Sequence, residues 1–145
     1  MSPEDFTAYL HREIPLTAAM SARVVRSEHG EVEISAPLAP NKNLHGTAFA
    51  GSLATLGLIS GWVVLDRALH EASLKAHLVA QKNECVFHAP ATQELRAVAR
   101  IPADEWSRFI AALNSKGRAR INVVTQIHAG ETLAVTHTGT YAAKT

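Results

Sequence analysis

Asn41-Lys42-Asn43-Leu44-His45-Gly46-Thr47-Ala48-Phe49-Ala50-Gly51-Ser52 is a polar loop that runs straight into an uncharged stretch. No Asp, Glu, Lys or Arg lies between His45 and Asp66. The pattern predicts a helix over residues 47–69. A helix that is apolar all round is a core helix, although this length also matches a bilayer span. Thr47, Ser52, Thr55, Ser60 and the glycines Gly51, Gly57 and Gly61 dilute its hydrophobicity. The chain around it alternates as a sheet with one wet face does. The expected position is therefore inside a curved sheet and not a membrane. Small residues on several sides of the helix would let the sheet approach its backbone closely.

Outward from this helix, the chain reads as one α+β domain, residues 1–145. Ser2 suits a helix cap, Pro3 the first turn, and Glu4 and Asp5 the positive end of the dipole. Phe6, Tyr9 and Leu10 share one face of this first helix, expected within residues 1–15 and ending near Pro15. Ala22 to Arg26 and Glu31 to Ser35 read as a hairpin turning at Glu28-His29-Gly30. Pro37 and Pro40 break the chain ahead of the polar loop. Beyond the long helix, strands are expected from Leu78 to His88, Glu94 to Ile101, Arg118 to His128 and Leu133 to Ala142. In the third of these, Ala119, Ile121, Val123, Thr125 and Ile127 alternate with Arg120, Asn122, Gln126 and His128. A small helical insertion is expected over residues 103–114, with Trp106, Phe109, Ile110 and Leu113 as its stripe and Gly117 as its stop. The count gives an antiparallel sheet of five or six strands wrapped around a long central helix.

Composition narrows the function. The 145 residues are 47% hydrophobic and 19% charged, with a formal net charge of +1. Such a chain folds, and it carries no field that would draw it onto nucleic acid. The single cysteine, Cys85, excludes a disulfide framework and a Cys-rich zinc site, and it suits a reducing, cytoplasmic compartment. Met1 to Arg12 is charged throughout, so no signal peptide is expected. The eight histidines are scattered without a His-x-x-x-His or Glu-x-x-His spacing, so no metal site is expected. Cys85, in mid-strand, reads as a small buried hydrophobe.

The chemistry concentrates in the loop. Gly46 and Thr47 would present backbone N–H groups at a helix N-terminus, which can hold a carbonyl oxygen as it gains negative charge. Asn and Gly before a helix also serve as ordinary caps. His45 suits proton transfer or a loop hydrogen bond. Ser52 and Thr55 either satisfy carbonyls of their own helix or position a water molecule. None of them has the partners of a Ser-His-Asp set. Asn83 and Cys85 fall on one face of their strand, Lys82 and Glu84 on the other. Lys116, Arg118 and Arg120 form a basic cluster that either guards an edge strand or binds phosphates.

The layout and the loop resemble the hot-dog fold, specifically the YiiD C-terminal-domain group of thioesterases. The resemblance rests on Pro40-Asn41-Lys42-Asn43, His45 through Ser52, Gly61-Trp62, Phe87 to Pro90, Lys116 through Arg120, and Gly139-Thr140-Tyr141. It covers about residues 16 to 143. It implies a homodimer or a dimer of dimers acting on acyl-CoA or an acyl-carrier thioester, with coenzyme A entering as part of the substrate and no separate cofactor. On that basis Asn41, His45, Gly46, Thr47, Ser52 and Thr55 are the candidate catalytic residues. Asn43, Phe49, Asn83, Arg118 and Arg120 are the candidate substrate-binding residues, with Asn83 either reaching the site across the dimer interface or serving as a buried structural amide. Better-known hot-dog thioesterases often carry an acid about two turns into the central helix. Here Ser52, Ala54, Thr55 and Ser60 occupy that region, and the first acid is Asp66. The base is then His45, Glu84 or His88, or there is none. The alternative is a non-catalytic acyl-CoA or acyl-carrier binding module. A dehydratase of acyl thioesters would need a better His and acid pair.

Overall fold

The computed structural model describes residues 1–145 except His29. That residue belongs to the expected hairpin turn, which lies in part outside the described residues. Helix α1 spans Pro3–Glu13, its first turn capped by the Ser2 hydroxyl, which accepts from the Asp5 N–H at 3.1 Å. Pro15 does not simply end it. It opens a second short helix, α2, over Pro15–Ala19, because a proline needs no N–H partner at the first helical position.

Six strands follow: β1 Arg23–Glu28, β2 Glu31–Ala36, β3 His77–Phe87, β4 Leu95–Arg100, β5 Arg118–Ala129 and β6 Thr132–Lys144. They form one antiparallel sheet in the order β1-β2-β4-β5-β6-β3. The central helix, α3, spans Ala50–Glu71, and α4 spans Ala103–Lys116. The stop of α4 is Gly117, whose φ of 73° is the left-handed conformation that a side chain disfavours.

The alternation of the strands builds the core. Val32, Ile34, Ala97, Ala99, Ile121, Val123, Ile127, Val135 and Tyr141 point inward and are fully or nearly fully buried. Helix α3 lies against this concave face, tied to it by polar contacts at both sides. The Tyr141 hydroxyl donates to Leu58 O at 2.8 Å, and the Trp62 indole donates to Leu78 O at 3.0 Å. By length and composition α3 is apolar enough to cross a membrane, yet Leu53, Leu56, Val63, Val64, Leu65 and Leu69 are buried against the domain's own core. It is not covered all round, however. Gly51, Thr55, Leu58, Ile59 and Trp62 leave a half-exposed flank, next to the exposed edge strand β3.

The glycines of α3 make room for strand side chains. A Cβ on Gly57 would stand 2.5 Å from His137 Cγ, and one on Gly61 would run into the Tyr141 ring. Both partners are buried and cannot swing away. Gly57→Leu is expected to destabilise the fold by about 1–3 kcal/mol through overpacking. A urea midpoint that does not move would show that α3 can slide off His137.

Candidate active site

The loop ahead of α3 is held by its own asparagines. Asn41 is buried, and its amide donates to Met20 O at 2.9 Å and to Pro37 O at 2.8 Å. Its backbone carbonyl accepts from the Phe49 N–H at 2.7 Å. Asn41 therefore anchors the loop to the rest of the fold. Asn43 closes the turn: Oδ1 accepts from the His45 and Thr47 N–H groups at 2.8 and 3.2 Å, and Nδ2 donates to Thr47 Oγ1 at 2.9 Å. Gly46 sits at the tip with φ of 82°, its N–H donating to Asn43 O at 3.2 Å.

These contacts change the expected location of free donors. Gly46 and Thr47 were expected to offer their N–H groups at the helix start. Both are engaged by Asn43, and the helix begins three residues later, at Ala50. The first intrahelical bond runs from the Leu53 N–H to Phe49 O at 3.0 Å. The N–H groups of Ala50, Gly51 and Ser52 have no acceptor among the described residues. The residue at the cap position is Phe49, which has no side chain able to accept from them, and the first turn carries no acid. Three donors and the positive end of a 22-residue helix thus face outward beneath the half-exposed Phe49 ring. Gly51 makes room for that ring, which packs directly over it and would be displaced by a Cβ there.

The other candidates are placed as follows. Ser52 and Thr55 lie on the half-exposed flank of α3, with Thr55 Oγ1 donating to Gly51 O at 2.9 Å. His45 is exposed, and its ring makes no hydrogen bond among the described residues. Glu84 pairs with Lys82 at 3.4 Å on the exposed strand, and the His88 ring meets Thr136 Oγ1 at 2.8 Å. Asp66, the first acid of α3, is sixteen residues from Ala50, about 24 Å along the helix. Burial pushes its carboxyl up, and His70 stands 3.7 Å away.

Strand β3 runs back along α3. It starts with Leu78 beside Trp62, and its continuation brings the Ala91 carbonyl to the Ala48 N–H at 2.9 Å. Asn83, Cys85 and Phe87 pair with the inward residues Gly139, His137 and Val135 of β6, so they lie on the concave face. The domain's own helix does not cover them: Asn83 is exposed, Phe87 is 52% exposed and Cys85 is half-buried. Cys85 is thus not the fully buried hydrophobe expected of it. The Asn83 amide is hydrogen-bonded to the His137 ring, a residue that the sequence did not single out.

Arg118 and Arg120 are not brought to the loop. They lie on the outer face at the far end of β5, the nearer of them, Arg120, about seven residues or roughly 23 Å of strand from Ile127. There they join Lys116, Lys144 and His77 around an open groove of about 800 Å³ with Val79, Ala142 and Ala143 among its lining. The four Lys and Arg side chains make no salt bridge among the described residues.

A family model described as "Putative thioesterase (yiiD_Cterm)" matches residues 4–145. The chain belongs to this family. Solved structures agree on the fold. A protein of unknown function from Chlorobaculum tepidum TLS superposes with a TM-score of 0.89 at 22% identity, over 99% of this chain and 96% of that one. A "putative thioesterase" from Shewanella oneidensis gives 0.84 at 25% identity, over 99% and 97%. A thioesterase from Haemophilus influenzae gives 0.77 at 12% identity, over 99% and 90%. The six-stranded sheet around α3 is therefore a hot-dog fold, as its loop and helix implied. Its thioesterase-like character follows from the family.

Proposed function

We propose that the protein hydrolyses acyl thioesters, of coenzyme A or of an acyl carrier, at the start of α3. The observation that carries this reading is the uncapped helix end, with the Ala50, Gly51 and Ser52 N–H groups unengaged. A thioester carbonyl placed over Gly51 would meet donors aligned with the helix dipole before any charge forms. Such preorganised donors act on charge that develops in the tetrahedral intermediate. Ser52 and Thr55 would orient the attacking water; a hydroxyl does this but is a weak base at neutral pH. His45 is the nearest titratable side chain in the loop sequence and the candidate base. Arg118 and Arg120, with Lys116 and Lys144, would receive the phosphates of a coenzyme A whose thioester lies at the α3 start of the second copy in the dimer, since within one chain the basic groove is at the other end of the sheet.

The working unit proposed is a homodimer joined along β3, in a reducing, cytoplasmic setting. A single sheet leaves β3 unpaired on one side, with Val86 and Phe87 54% and 52% exposed. A second copy there would cover the half-exposed flank of α3 as well. Light scattering is expected to give about twice the 15.6 kDa of the chain. A stable folded monomer at micromolar concentration would remove the shared site.

Release of free thiol from a panel of acyl-CoAs and acyl-carrier thioesters tests the reaction. Turnover with any of them supports the enzyme. Tight binding of an acyl-CoA without thiol release favours the runner-up, a binding module, for which the lack of a carboxylate in the first two turns of α3 is the supporting observation.

A further inference from the structure

His137 plays no part in the reaction proposed above, yet its side chain is fully buried in β6. The ring faces α3, directly against Gly57, and its cross-strand neighbours are Thr125 on β5 and Cys85 on β3. Thr125 Oγ1 is turned to Gly57 O, 3.4 Å away, and so is not a partner for the ring. Nε2 is hydrogen-bonded to Asn83 Oδ1, and Nδ1 is buried with no partner. Asn83 lies on the concave face of β3, exposed beside the half-exposed flank of α3.

We infer that His137 is a positioning residue: its Nε2–H grips Asn83 Oδ1 from inside the core and so turns the Asn83 NH2 group outward, as a fixed donor for the carbonyl of an acyl thioester bound at the α3 start of the second copy in the proposed dimer. The ligand in this statement rests on the function proposed above; the His137–Asn83 pair does not.

The protonation state follows from hydrogen-bond accounting. A neutral imidazole has one N–H. On Nε2 that proton meets Oδ1, and the orphaned Nδ1 is a lone pair. On Nδ1 it would be a buried donor with no acceptor, the costlier arrangement. Protonating both nitrogens would bury a charge as well. Burial pushes the ring down to about 4, so it is neutral at physiological pH. No carboxylate is among the residues that pack on or pair with the ring: Gly57 on α3, Thr125 on β5, and Asn83 and Cys85 on β3.

The exposed amide gains direction from this contact. Asn χ2 is a soft, nearly two-fold torsion, and an unrestrained amide at a cleft presents oxygen and nitrogen alike. An oxygen facing out would repel a carbonyl. A donor fixed before substrate arrives avoids that loss and the ordering cost. His137 can impose the choice because α3 leaves it no room: the space is set by Gly57, whose Cβ would overlap the ring.

The test uses the full-length protein labelled with 15N, together with acyl-CoA ketones of short, medium and long chain in which a methylene replaces the sulfur. Imidazole spectra should show His137 as the Nε2-protonated tautomer at pH 7. The Asn83 Nδ2 protons should shift when the best-binding ketone is added. That shift should vanish in His137→Leu and persist in His137→Gln, whose amide can still donate to Oδ1. With a hydrolysable acyl-CoA, Asn83→Ala and His137→Leu should each lower kcat about 10- to 100-fold with KM little changed. The double variant should be no worse than either, and His137→Gln should recover most of the rate. A ring protonated on Nδ1, an Asn83 amide that ignores the ketone, or a His137→Gln as slow as His137→Leu would overturn the inference. A wild-type protein that releases no thiol but shows the ketone-dependent Asn83 shift would end the hydrolase reading and leave this one standing, as the orientation of a bound acyl group.

Discussion

Gly51→Val is expected to lower thioester turnover by 10²–10³-fold, the usual cost of losing one oxyanion donor. The branched side chain would project from the second residue of α3, where even a Cβ runs into the Phe49 ring. Phe49 is 55% exposed, so it swings outward and the fold survives. What does not survive is the seat of the Phe49 ring on Gly51, and with it the approach to the Ala50, Gly51 and Ser52 N–H groups once the ring moves aside. The melting temperature should therefore change little while kcat collapses. Gly46→Val provides the contrast. No atom lies within 4 Å of a Cβ at Gly46, but its φ of 82° is strained for a branched residue by about 1–2 kcal/mol. That variant should lower stability and disorder the Asn43 turn, with a smaller direct loss of turnover. If Gly46→Val were the slower enzyme and Gly51→Val ran at the wild-type rate, the donors would lie in the loop after all.

The contrast between these two glycines shows where the sequence was legible. The long apolar run read as a helix, its diluting polar and glycine residues favoured a sheet around it over a bilayer, and the alternation of β5 fixed which of its residues face inward. The position of the helix start was not legible in the same way. Asn43 and Gly46 look like a cap, and they do close a turn, but that turn consumes the Gly46 and Thr47 N–H groups. The actual start, after Phe49, has no capping side chain and thus no local signature. Pro15 ended α1 as expected, but the short α2 that it also opens was not legible, since a proline ends one helix and opens the next with equal ease. Arg118 and Arg120 were read as one cluster with Lys116, and the structure does gather the three, but their distance from the loop was not legible because composition carries no distance. His137 was hidden by its partners. Asn83 is 54 positions away, Gly57 is 80, and a single histidine in an alternating strand has nothing to mark it.

Acidification should expose that buried ring. In the unfolded chain His137 titrates near 6.5; in the folded protein burial lowers it to about 4. The unfolded state therefore binds the proton first, and folding stability is lost as pH falls from about 6.5 through about 4. The full loss is on the order of 3 kcal/mol, from 1.36 kcal/mol for each pH unit between the two values. Two other groups with shifted values also contribute to the acid profile. The Arg26 hydrogen bond, with help from Arg100, holds the Glu31 carboxyl below its usual value of 4.5, so its contribution is lost only below about that pH. Asp66 works the other way, since burial raises its pKa above 3.8 and protonation relieves a cost in the folded state. Glu31 and Asp66 are the same in a His137 variant, so the difference in slope between the two proteins isolates His137. Urea midpoints measured from pH 6.5 down to 4.5 should fall more steeply for the wild type than for His137→Gln, which cannot titrate. Parallel slopes for the two proteins would mean that the ring admits a proton in place, and that the core around Gly57 is wetter than its packing implies.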